Sequence, residues 1–598
     1  MTNSSCKYPT KWDLSCFYES IDSEKISNDK YNISNEIDKF ISKYKDNLQI
    51  SNLANAIVEY EEIYKSASKI AVYLGLYFQI KQKDDAVSAA YQSMMEWYTN
   101  NFSKLCWFEV EIQKMDYDEI NESLKQDKIL YDYKAFIDNI FKYKPHTLTS
   151  KEEFIISKLG VVTGDTWYKF HNGLLSRIVF EFKGEKLNLS DIVEKANHGE
   201  SEEIRKEASI ALSEGLKANS YALTSVFNNI ILSHKTYNDL RNYTYPEQKR
   251  FLEDDIEKSV VETMLEVVRD HYESISHRYY KLKAKILNKS KLQYWDRAEK
   301  VHLSKVEDKK YTYEEAIDLI LGIFKDFSPK FFEIVKTMVN EGWVDVYPRE
   351  GKVSGAFSSS ATVDTHPFIL LNFYGSIRDI LTIAHEFGHG IHQKLSAKNK
   401  ELVCNPGLNI SETASIFAEK LTNKYLLNTE TDLKKKIELI CSRLDDVMST
   451  VFRQIAFFKF EQKIHNIRNS HELSENDLNQ AWRQELEESL GNGIEIDHHI
   501  DNYWGYITHF TSCPFYVYSY AFGCLFVEGL FAEYEKNGSE FVSKYENALS
   551  SGGTKNYREI AEMFNIDPTS KGFWVSALKS IENEIDELEA ICDQALFN

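Results

Sequence analysis

One short sequence pattern constrains the fold of this chain more strongly than any other feature. The stretch Leu381–His392 reads LTIAHEFGHGIH and contains the pattern H-E-x-x-H, with Glu386 between His385 and His389. On an α-helix, positions i and i+4 share one face, so the two imidazoles can bind one zinc ion and the glutamate can act as general base. The alternative is a buried helix whose histidines are hydrogen-bonded without a metal.

The residues before this pattern favour a helix. Ser376 is a suitable N-cap, and Asp379 places a negative charge in the first turn, where the helix dipole favours it. Apolar residues then recur at helical spacing, at Ile377, Ile380, Leu381 and Ala384. The sequence therefore predicts a helix that begins next to Ser376 and carries both histidines.

A catalytic zinc site needs a third protein ligand and an open fourth position. His392 is close to His389, but a third ligand from the same helix gives poor tetrahedral geometry, so we assign His392 to packing or to support of the site. The better candidate is Glu412, which opens a second helix reading SETASIFAEKLTNKYLL, with Ser411 as its N-cap. Glu419 lies two turns further on the same face, where it either hydrogen-bonds a ligand imidazole or faces solvent.

These two motifs resemble those of a known family. HEFGHGIH followed by SETASIFAE is similar to the thimet oligopeptidase-like zinc metallopeptidases, and most closely to their oligoendopeptidase F group. The resemblance implies that His385, His389 and Glu412 bind one zinc ion per chain and that Glu386 is the catalytic base. It also implies a mostly α-helical, two-lobed metallopeptidase fold with a deep substrate channel.

The resemblance also implies how the chain is divided. Residues 1–200 are expected to form an N-terminal helical lobe of the oligoendopeptidase F type, and residues 201–598 the catalytic zinc metallopeptidase domain. Apolar residues at helical spacing independently predict helices over most of both parts. One exception is Ser176–Phe182, which alternates as a strand and is predicted to form a hairpin with the following LNLSDIV.

A second exception lies directly before the zinc-binding motif. The runs WVDVY, GAFSSS and PFILLNF are strand-like and separated by turn residues, which predicts a small β-sheet beside the zinc helix. The edge strand of such a sheet can pair with an extended peptide through main-chain hydrogen bonds. Gly355 and Ala356 leave room for this approach and are assigned to substrate binding. The alternative is a hairpin that only packs under the helix.

Histidine and tyrosine recur together in a second informative stretch, IEIDHHIDNYWGYITHFTSCPFYVYSYAFG. A phenol or imidazole N–H that reaches the oxyanion would stabilise the transition state of peptide hydrolysis. The resemblance places His509 and Tyr518 nearest this oxyanion. Tyr516 and Tyr520 are four residues apart, share a different face and are assigned to substrate binding. Each tyrosine is equally well explained as an ordinary core aromatic.

Composition limits the partners and the compartment. The net charge of −21 disfavours nucleic acid and anionic membranes as partners. The first residues contain no apolar segment typical of a secretory signal, and no run approaches the roughly 18–20 apolar residues that span a bilayer. The eight cysteines are scattered and indicate reduced thiols in a cytoplasmic protein. Nothing indicates an oligomeric state.

The predicted function is a zinc-dependent oligoendopeptidase. A zinc-activated water attacks internal bonds of short unstructured peptides, and Glu386 takes its proton. The restriction to short peptides comes from the resemblance alone. Three alternatives stay open: a zinc exopeptidase (a carboxydipeptidase or an aminopeptidase), a non-catalytic helical peptide-binding protein, and a purely structural zinc site. The base at Glu386 argues against a binding protein.

Overall fold

The computed structural model describes residues 6–160, 163–304 and 309–597. Residues 1–5, on which part of the expectation about a secretory signal rests, lie outside the described residues. The chain is mainly helical with only short strands, as predicted. In the part up to residue 144 the helices are α1 (Glu24–Tyr44), α2 (Ile50–Ile80), α3 (Asp85–Phe102), α4 (Trp107–Lys114), α5 (Tyr117–Gln126), α6 (Lys128–Tyr131) and α7 (Lys134–Lys142).

The middle of the chain continues with helices and with six of the seven strands found in the described residues. From residue 145 to 306 these are α8 (Ser150–Gly160), α9 (Gly164–Leu175), β1 (Phe180–Phe182), β2 (Glu185–Leu187), α10 (Leu189–His198), α11 (Glu202–Ala218), α12 (Ser220–Leu240), α13 (Gln248–Glu253), α14 (Lys258–Asp270), α15 (Arg278–Ile286) and β3 (Leu292–Gln293). Up to residue 429 there follow α16 (Tyr313–Phe327), α17 (Pro329–Asn340), β4 (Val344–Asp345), β5 (Phe357–Ser359), β6 (Phe368–Leu370), α18 (Ile377–Ser396), α19 (Leu408–Ser411) and α20 (Thr413–Thr429).

In the described residues of the last third, α-helices are joined by short 3-10 turns and loops and by one short strand. Its elements are α21 (Leu433–Val447), α22 (Arg453–Arg468), α23 (Glu475–Leu490), β7 (Ile494–Glu495), α24 (His509–Ser512), α25 (Tyr518–Asn537), α26 (Ser539–Ser550), α27 (Tyr557–Met563) and α28 (Lys571–Ala595). Among the described residues, no helix is both long enough and apolar enough to cross a bilayer.

The chain folds into two compact units, each built from three separate segments. Unit 1 comprises Met1–Lys144, Glu307–Leu426 and Tyr534–Asn565, and unit 2 comprises Pro145–Val306, Leu427–Glu533 and Ile566–Asn598. The unit boundaries do not coincide with the division of the sequence at residue 200. That division therefore stays a prediction about sequence segments.

Unit 1 contains the small sheet that was predicted before the H-E-x-x-H motif. Its strand order is β4-β6-β5, with β4 parallel and β5 antiparallel to the central, fully buried β6. The chain start holds this sheet in place: the Trp12 indole N–H donates to the carbonyl oxygens of Trp343 at 3.1 Å and Ile369 at 2.8 Å. The Phe17 ring packs 5.5 Å from that of Phe368, so the sheet is part of the core next to α18.

The predicted hairpin lies in unit 2 and is shorter than expected. β1 and β2 are antiparallel and joined by Lys183 and Gly184, both with positive φ, as a two-residue type I′ turn requires. The prediction that the hairpin continues into the LNLSDIV segment is confirmed only for Leu187, which pairs with Phe180, and the rest of the segment leaves the hairpin. The Asn188 side chain accepts the Asp191 N–H and caps α10, so this apolar segment enters a helix instead.

Candidate active site

The helix α18 begins with a capping box. Asp379 accepts hydrogen bonds from the N–H and hydroxyl of Ser376, while the Ser376 hydroxyl accepts the N–H of Asp379 at 3.2 Å. The predicted helix start at Ser376 is therefore confirmed. Because the start is fixed, the faces on which His385 and His389 lie along the helix are fixed as well.

The structure brings His385, His389 and Glu412 together. One carboxylate oxygen of Glu412 lies 3.4 Å from the Nε2 atom of each histidine, and the three potential ligand atoms all lie within 4.8 Å of one another. Two imidazole nitrogens and one carboxylate oxygen in this arrangement match the donor set of a catalytic zinc site. Among the described residues, no fourth histidine, cysteine or acidic ligand joins this group.

Gly388 allows the two helices to approach each other at this point. A Cβ atom on Gly388 would lie 2.5 Å from the Ala414 carbonyl oxygen and 2.6 Å from the Ser415 Cα atom, distances that side-chain carbons do not adopt. Only glycine therefore lets α18 lie against the start of α20, next to Glu412. Sequence reasoning assigned no role to Gly388, although it lies within the motif.

The Glu412 side chain is oriented by a local hydrogen bond. The hydroxyl of the fully buried Ser415 donates to the Glu412 carboxylate at 2.9 Å. The prediction that Ser411 is the N-cap of this helix is wrong. Ser411 is the last residue of the helical turn α19, because the Gly407 carbonyl already accepts the N–H groups of Ile410 and Ser411.

Glu419 lies beside the other ring nitrogen of His385. Its carboxylate is 3.2 Å from Nδ1, which leaves Nε2 to face Glu412. Burial lowers the pKa of His385, but the contacts with Glu412 and Glu419 raise it by more, to about 10. The two histidines in turn hold the pKa of Glu412 well below its ordinary value, although burial opposes this. The site thus favours a positive charge between these groups, as a metal cation would supply.

Glu386 is buried on the same helix and is only 6% exposed. Within the described part of the chain its Oε2 atom has no hydrogen-bond partner. Burial raises the pKa of this carboxyl group, while the two histidines lower it. A buried carboxylate oxygen without a partner is costly for folding, and it is available to take a proton.

His392 packs inside unit 1, as the sequence predicted. It is 2% exposed, and burial, reinforced by the charge of His389, lowers its pKa to about 3. The ring therefore stays neutral.

The edge strand β5 lies next to α18. The Ser358 hydroxyl donates to the Gln393 side chain of α18 at 2.8 Å. Gly355 has a φ of +84° with open space where a side chain would begin, and its carbonyl accepts the Asn372 amide at 2.8 Å. Ala356 follows and leads into β5, which pairs with β6 and with no other strand of the described residues.

The histidine and tyrosines of the second stretch all lie in unit 2. His509 begins the short helix α24, and its Nε2 atom is 3.2 Å from the hydroxyl of Tyr520, whose side chain is exposed. Tyr516 packs with its ring 5.3 Å from that of Tyr520. Tyr518 is fully buried and its hydroxyl donates to Asp254 at 2.8 Å. Tyr520 is therefore exposed and Tyr518 buried, while His509 and Tyr516 are partly buried.

Backbone strain occurs just before these tyrosines. Phe515 is fully buried and has a φ of +63°, a left-handed conformation that a bulky residue rarely adopts. Its N–H donates to the buried Glu461 at 2.9 Å, which stabilises this conformation. The strained residue lies three positions before α25, which begins at Tyr518.

Comparisons with known proteins identify the family of this chain. The sequence model of peptidase family M3 matches residues 196–580, and a second model, described as Oligopeptidase F, matches residues 111–180. The chain is 27% identical over 588 residues to Oligopeptidase PepF of Bacillus subtilis, covering 95% of this chain and 86% of that protein. It is also 27% identical over 592 residues to an Oligoendopeptidase F homolog of Borreliella burgdorferi, covering 97% of this chain and 98% of that protein.

The fold is similar to that of a solved oligoendopeptidase-F from Enterococcus faecium. The TM-score is 0.72 at 21% sequence identity, with 96% of this chain and 99% of the other covered. This likeness shows the fold, and the family model covers well over half of the sequence. The resemblance expected from HEFGHGIH and SETASIFAE is confirmed: the chain belongs to peptidase family M3.

Proposed function

We propose that this peptidase is a zinc-dependent oligoendopeptidase that cleaves internal bonds of short unstructured peptides. His385, His389 and Glu412 would hold one zinc ion per chain. The observation that carries the proposal is the convergence of their ligand atoms within 4.8 Å of one another. The same helix carries the buried Glu386, whose Oε2 atom has no partner in the described part of the chain. A purely structural zinc site would need a fourth protein ligand instead.

Each neighbouring side chain has a role in this proposal. When bound, zinc supplies a Lewis acid that polarises the scissile carbonyl and lowers the pKa of water. Glu386 takes a proton from the attacking water and passes it to the leaving amine. Glu419 keeps Nε2 of His385 directed to the site, and Ser415 orients Glu412.

The edge strand β5 is the proposed binding site for the peptide backbone. Main-chain pairing recognises an extended peptide with little regard to its side chains, and it requires that the substrate be unfolded. The open space at Gly355 and the small side chain of Ala356 allow a second backbone to approach. The limit to short peptides and the cytoplasmic location stay predictions from the sequence.

The experiment that tests this proposal is hydrolysis of a quenched-fluorescent peptide blocked at both ends. We expect internal cleavage that chelation abolishes and added zinc restores, with the cut position read by mass spectrometry. Cleavage only of peptides with free ends would support an exopeptidase. Tight binding of one zinc ion per chain and of peptides without any turnover would support a peptide-binding protein.

The role of Tyr518 at the oxyanion, with His509, also stays a prediction. In this structure the Tyr518 hydroxyl is engaged by Asp254, whereas that of Tyr520 is exposed and contacts His509. If Tyr518 stabilises the oxyanion, the Tyr518→Phe change lowers kcat by about 10²-fold with little effect on KM.

Tyr520→Phe is the matched comparison, because it removes one hydroxyl from the same helix. We expect it to raise KM more than it lowers kcat, consistent with substrate binding. If instead Tyr520→Phe lowers kcat and Tyr518→Phe changes only the thermal stability, the oxyanion role moves to Tyr520. Steady-state kinetics and thermal unfolding of both variants decide between these results.

A further inference from the structure

One arginine of unit 2, Arg453, has no acidic partner among the residues that the structure describes. Arg453 begins α22 directly after a π-helical turn at Met448–Phe452, an irregularity frequently found at functional sites. Its side chain is partly buried, and its Nε atom has no hydrogen-bond partner within the described residues. Burial, and then the charge of Arg297, lower the pKa of the Arg453 guanidinium. An unpaired, partly buried guanidinium is costly and calls for an anion.

Arg297 is the second cation of this cluster. Its guanidinium lies 4.1 Å from the centre of the Tyr294 ring and donates to the Asn197 side chain at 2.9 Å and the Tyr294 carbonyl at 3.0 Å. None of these partners is negatively charged. The π-face of Tyr294 and the two oxygen acceptors hold the guanidinium in place without neutralising it.

The acidic residues nearest to Arg297 in the sequence are engaged elsewhere. Asp296 pairs with Arg205 at 3.3 Å and with Lys289 at 2.8 Å. Glu299 pairs with the same two cations, at 2.5 Å and 3.2 Å. The two acids thus neutralise a separate pair of cations, although the chain as a whole carries a net charge of −21.

Each of the two arginines lies against an aromatic ring, Arg297 at 4.1 Å from that of Tyr294 and Arg453 at 5.8 Å from that of Phe457. The Tyr503 ring lies 5.9 Å from that of Tyr294 and 5.6 Å from that of Tyr506. Burial, followed by the neighbouring Tyr294, raises the pKa of Tyr506 to about 12, so its phenol remains a protonated donor. Apolar walls lower the local dielectric constant and strengthen the attraction between a guanidinium and any anion that enters.

The charge of Arg453 also acts on the segment that contains His509. Burial, and then the charge of Arg453, lower the pKa of His509. His509 is only partly buried and contacts the exposed Tyr520, so solvent reaches this region of unit 2.

We propose that Arg453, supported by Arg297, binds a carboxylate group of the peptide substrate. This inference rests on the proposed function, because the anionic groups of an unmodified peptide are carboxylates. A guanidinium can hold a carboxylate through two parallel hydrogen bonds, which fixes its position as well as its charge. The carboxylate comes either from the C-terminus of the peptide or from an aspartate or glutamate side chain.

The test compares matched peptides with the zinc-loaded, full-length protein. One pair differs only in a C-terminal acid or amide, and the other pair is amidated and differs only in glutamate or glutamine at one position. We expect kcat/KM to be about tenfold or more higher for the carboxylate member of one pair. A preference within the first pair assigns the C-terminus, and one within the second pair assigns a side chain.

The variants then assign the preference to Arg453. We expect Arg453→Gln to reduce the ratio of kcat/KM between the carboxylate peptide and its neutral counterpart to about one, because KM rises for the carboxylate peptide. Arg453→Lys should keep part of this ratio. Arg468→Gln is the control, because Arg468 lies at the other end of α22, about 22 Å away, and its Nε atom likewise has no partner within the described residues. This variant should keep the full ratio.

Two results would overturn the inference: equal kcat/KM within both pairs for the unaltered protein, or the same preference after Arg453→Gln. The first of these needs no variant, so the test holds even if Arg453→Gln does not fold. If none of the four peptides is cleaved, the proposed hydrolysis fails on its own. The dissociation constants of the four peptides, measured by fluorescence anisotropy, then test the carboxylate site without turnover. Equal dissociation constants within both pairs, or the same preference after Arg453→Gln, would overturn the inference.

Discussion

Replacing Glu386 with glutamine is expected to lower kcat by about 10³-fold while leaving the zinc content at one ion per chain. The amide has nearly the same shape as the carboxylate, but it cannot take a proton from water. His385, His389 and Glu412 are unchanged, so the proposed metal site keeps all its ligands. Turnover of a blocked peptide and metal analysis of the purified variant measure the two quantities separately.

The stability of this variant distinguishes a chemical role from a structural one. In the folded protein the Glu386 carboxyl group is buried and its pKa is raised, so its charge opposes folding at neutral pH. A neutral glutamine removes this penalty, and we expect the midpoint of thermal unfolding to stay the same or rise. Lost turnover with undiminished stability is the pattern of a residue kept for chemistry.

Glu401 offers a matched control in unit 1. It is also 6% exposed, burial raises its pKa as well, and its carboxylate accepts the Val363 N–H at 2.9 Å. The amide oxygen of glutamine can still accept this hydrogen bond. Glu401→Gln should therefore keep kcat within about twofold. Turnover of Glu386→Gln within tenfold of the unaltered protein, at full zinc content, would remove the base assignment.

The parts of the site that the sequence could predict are those fixed by local geometry. Two histidines four residues apart share a helix face wherever the helix lies, and Ser376 with Asp379 marks its start. Glu412 could be reached only through a motif on a second helix. Ser411 was misplaced because the Gly407 carbonyl begins a helical turn earlier than the pattern indicates.

Other features depend on contacts between residues far apart in the chain, and no local pattern reports them. The buried position of Tyr518 depends on Asp254, and the left-handed Phe515 depends on Glu461. The residues next to Arg453 in the sequence do not indicate whether a carboxylate lies beside its guanidinium in the fold. The absence of such a carboxylate among the described residues is visible only in the fold, where Asp296 and Glu299 are paired with other cations.

Gly388 joins the local motif to the tertiary structure, and its replacement is the second large effect we expect. In Gly388→Ala the new methyl group meets the backbone of Ala414 and Ser415 at 2.5–2.6 Å. Backbone atoms cannot move aside as the end of a flexible side chain can, so the start of α20 must shift away from α18. The expected loss is about 1–3 kcal/mol in the free energy of unfolding.

The same shift should weaken the proposed metal site, because Glu412 directly precedes the displaced residues of α20. We expect zinc affinity to fall by roughly 10–100-fold, in the range seen when supports of metal ligands are lost. Chelator competition measures this affinity, and urea unfolding of the metal-free chain measures stability. Turnover should then recover in part when excess zinc is added, which Glu386→Gln does not allow.

Gly322→Ala is the control for Gly388→Ala, since both glycines lie inside helices of unit 1. A Cβ atom on Gly322 meets nothing within 4 Å, so alanine there should raise the free energy of unfolding by about 0.5–1 kcal/mol and leave zinc affinity unchanged. If Gly388→Ala also stabilises the chain and binds zinc normally, the close contact between α18 and α20 is not what brings Glu412 to the histidines. If it destabilises the chain and weakens zinc binding together, one glycine accounts for both the packing of the two helices and the geometry of the ligands.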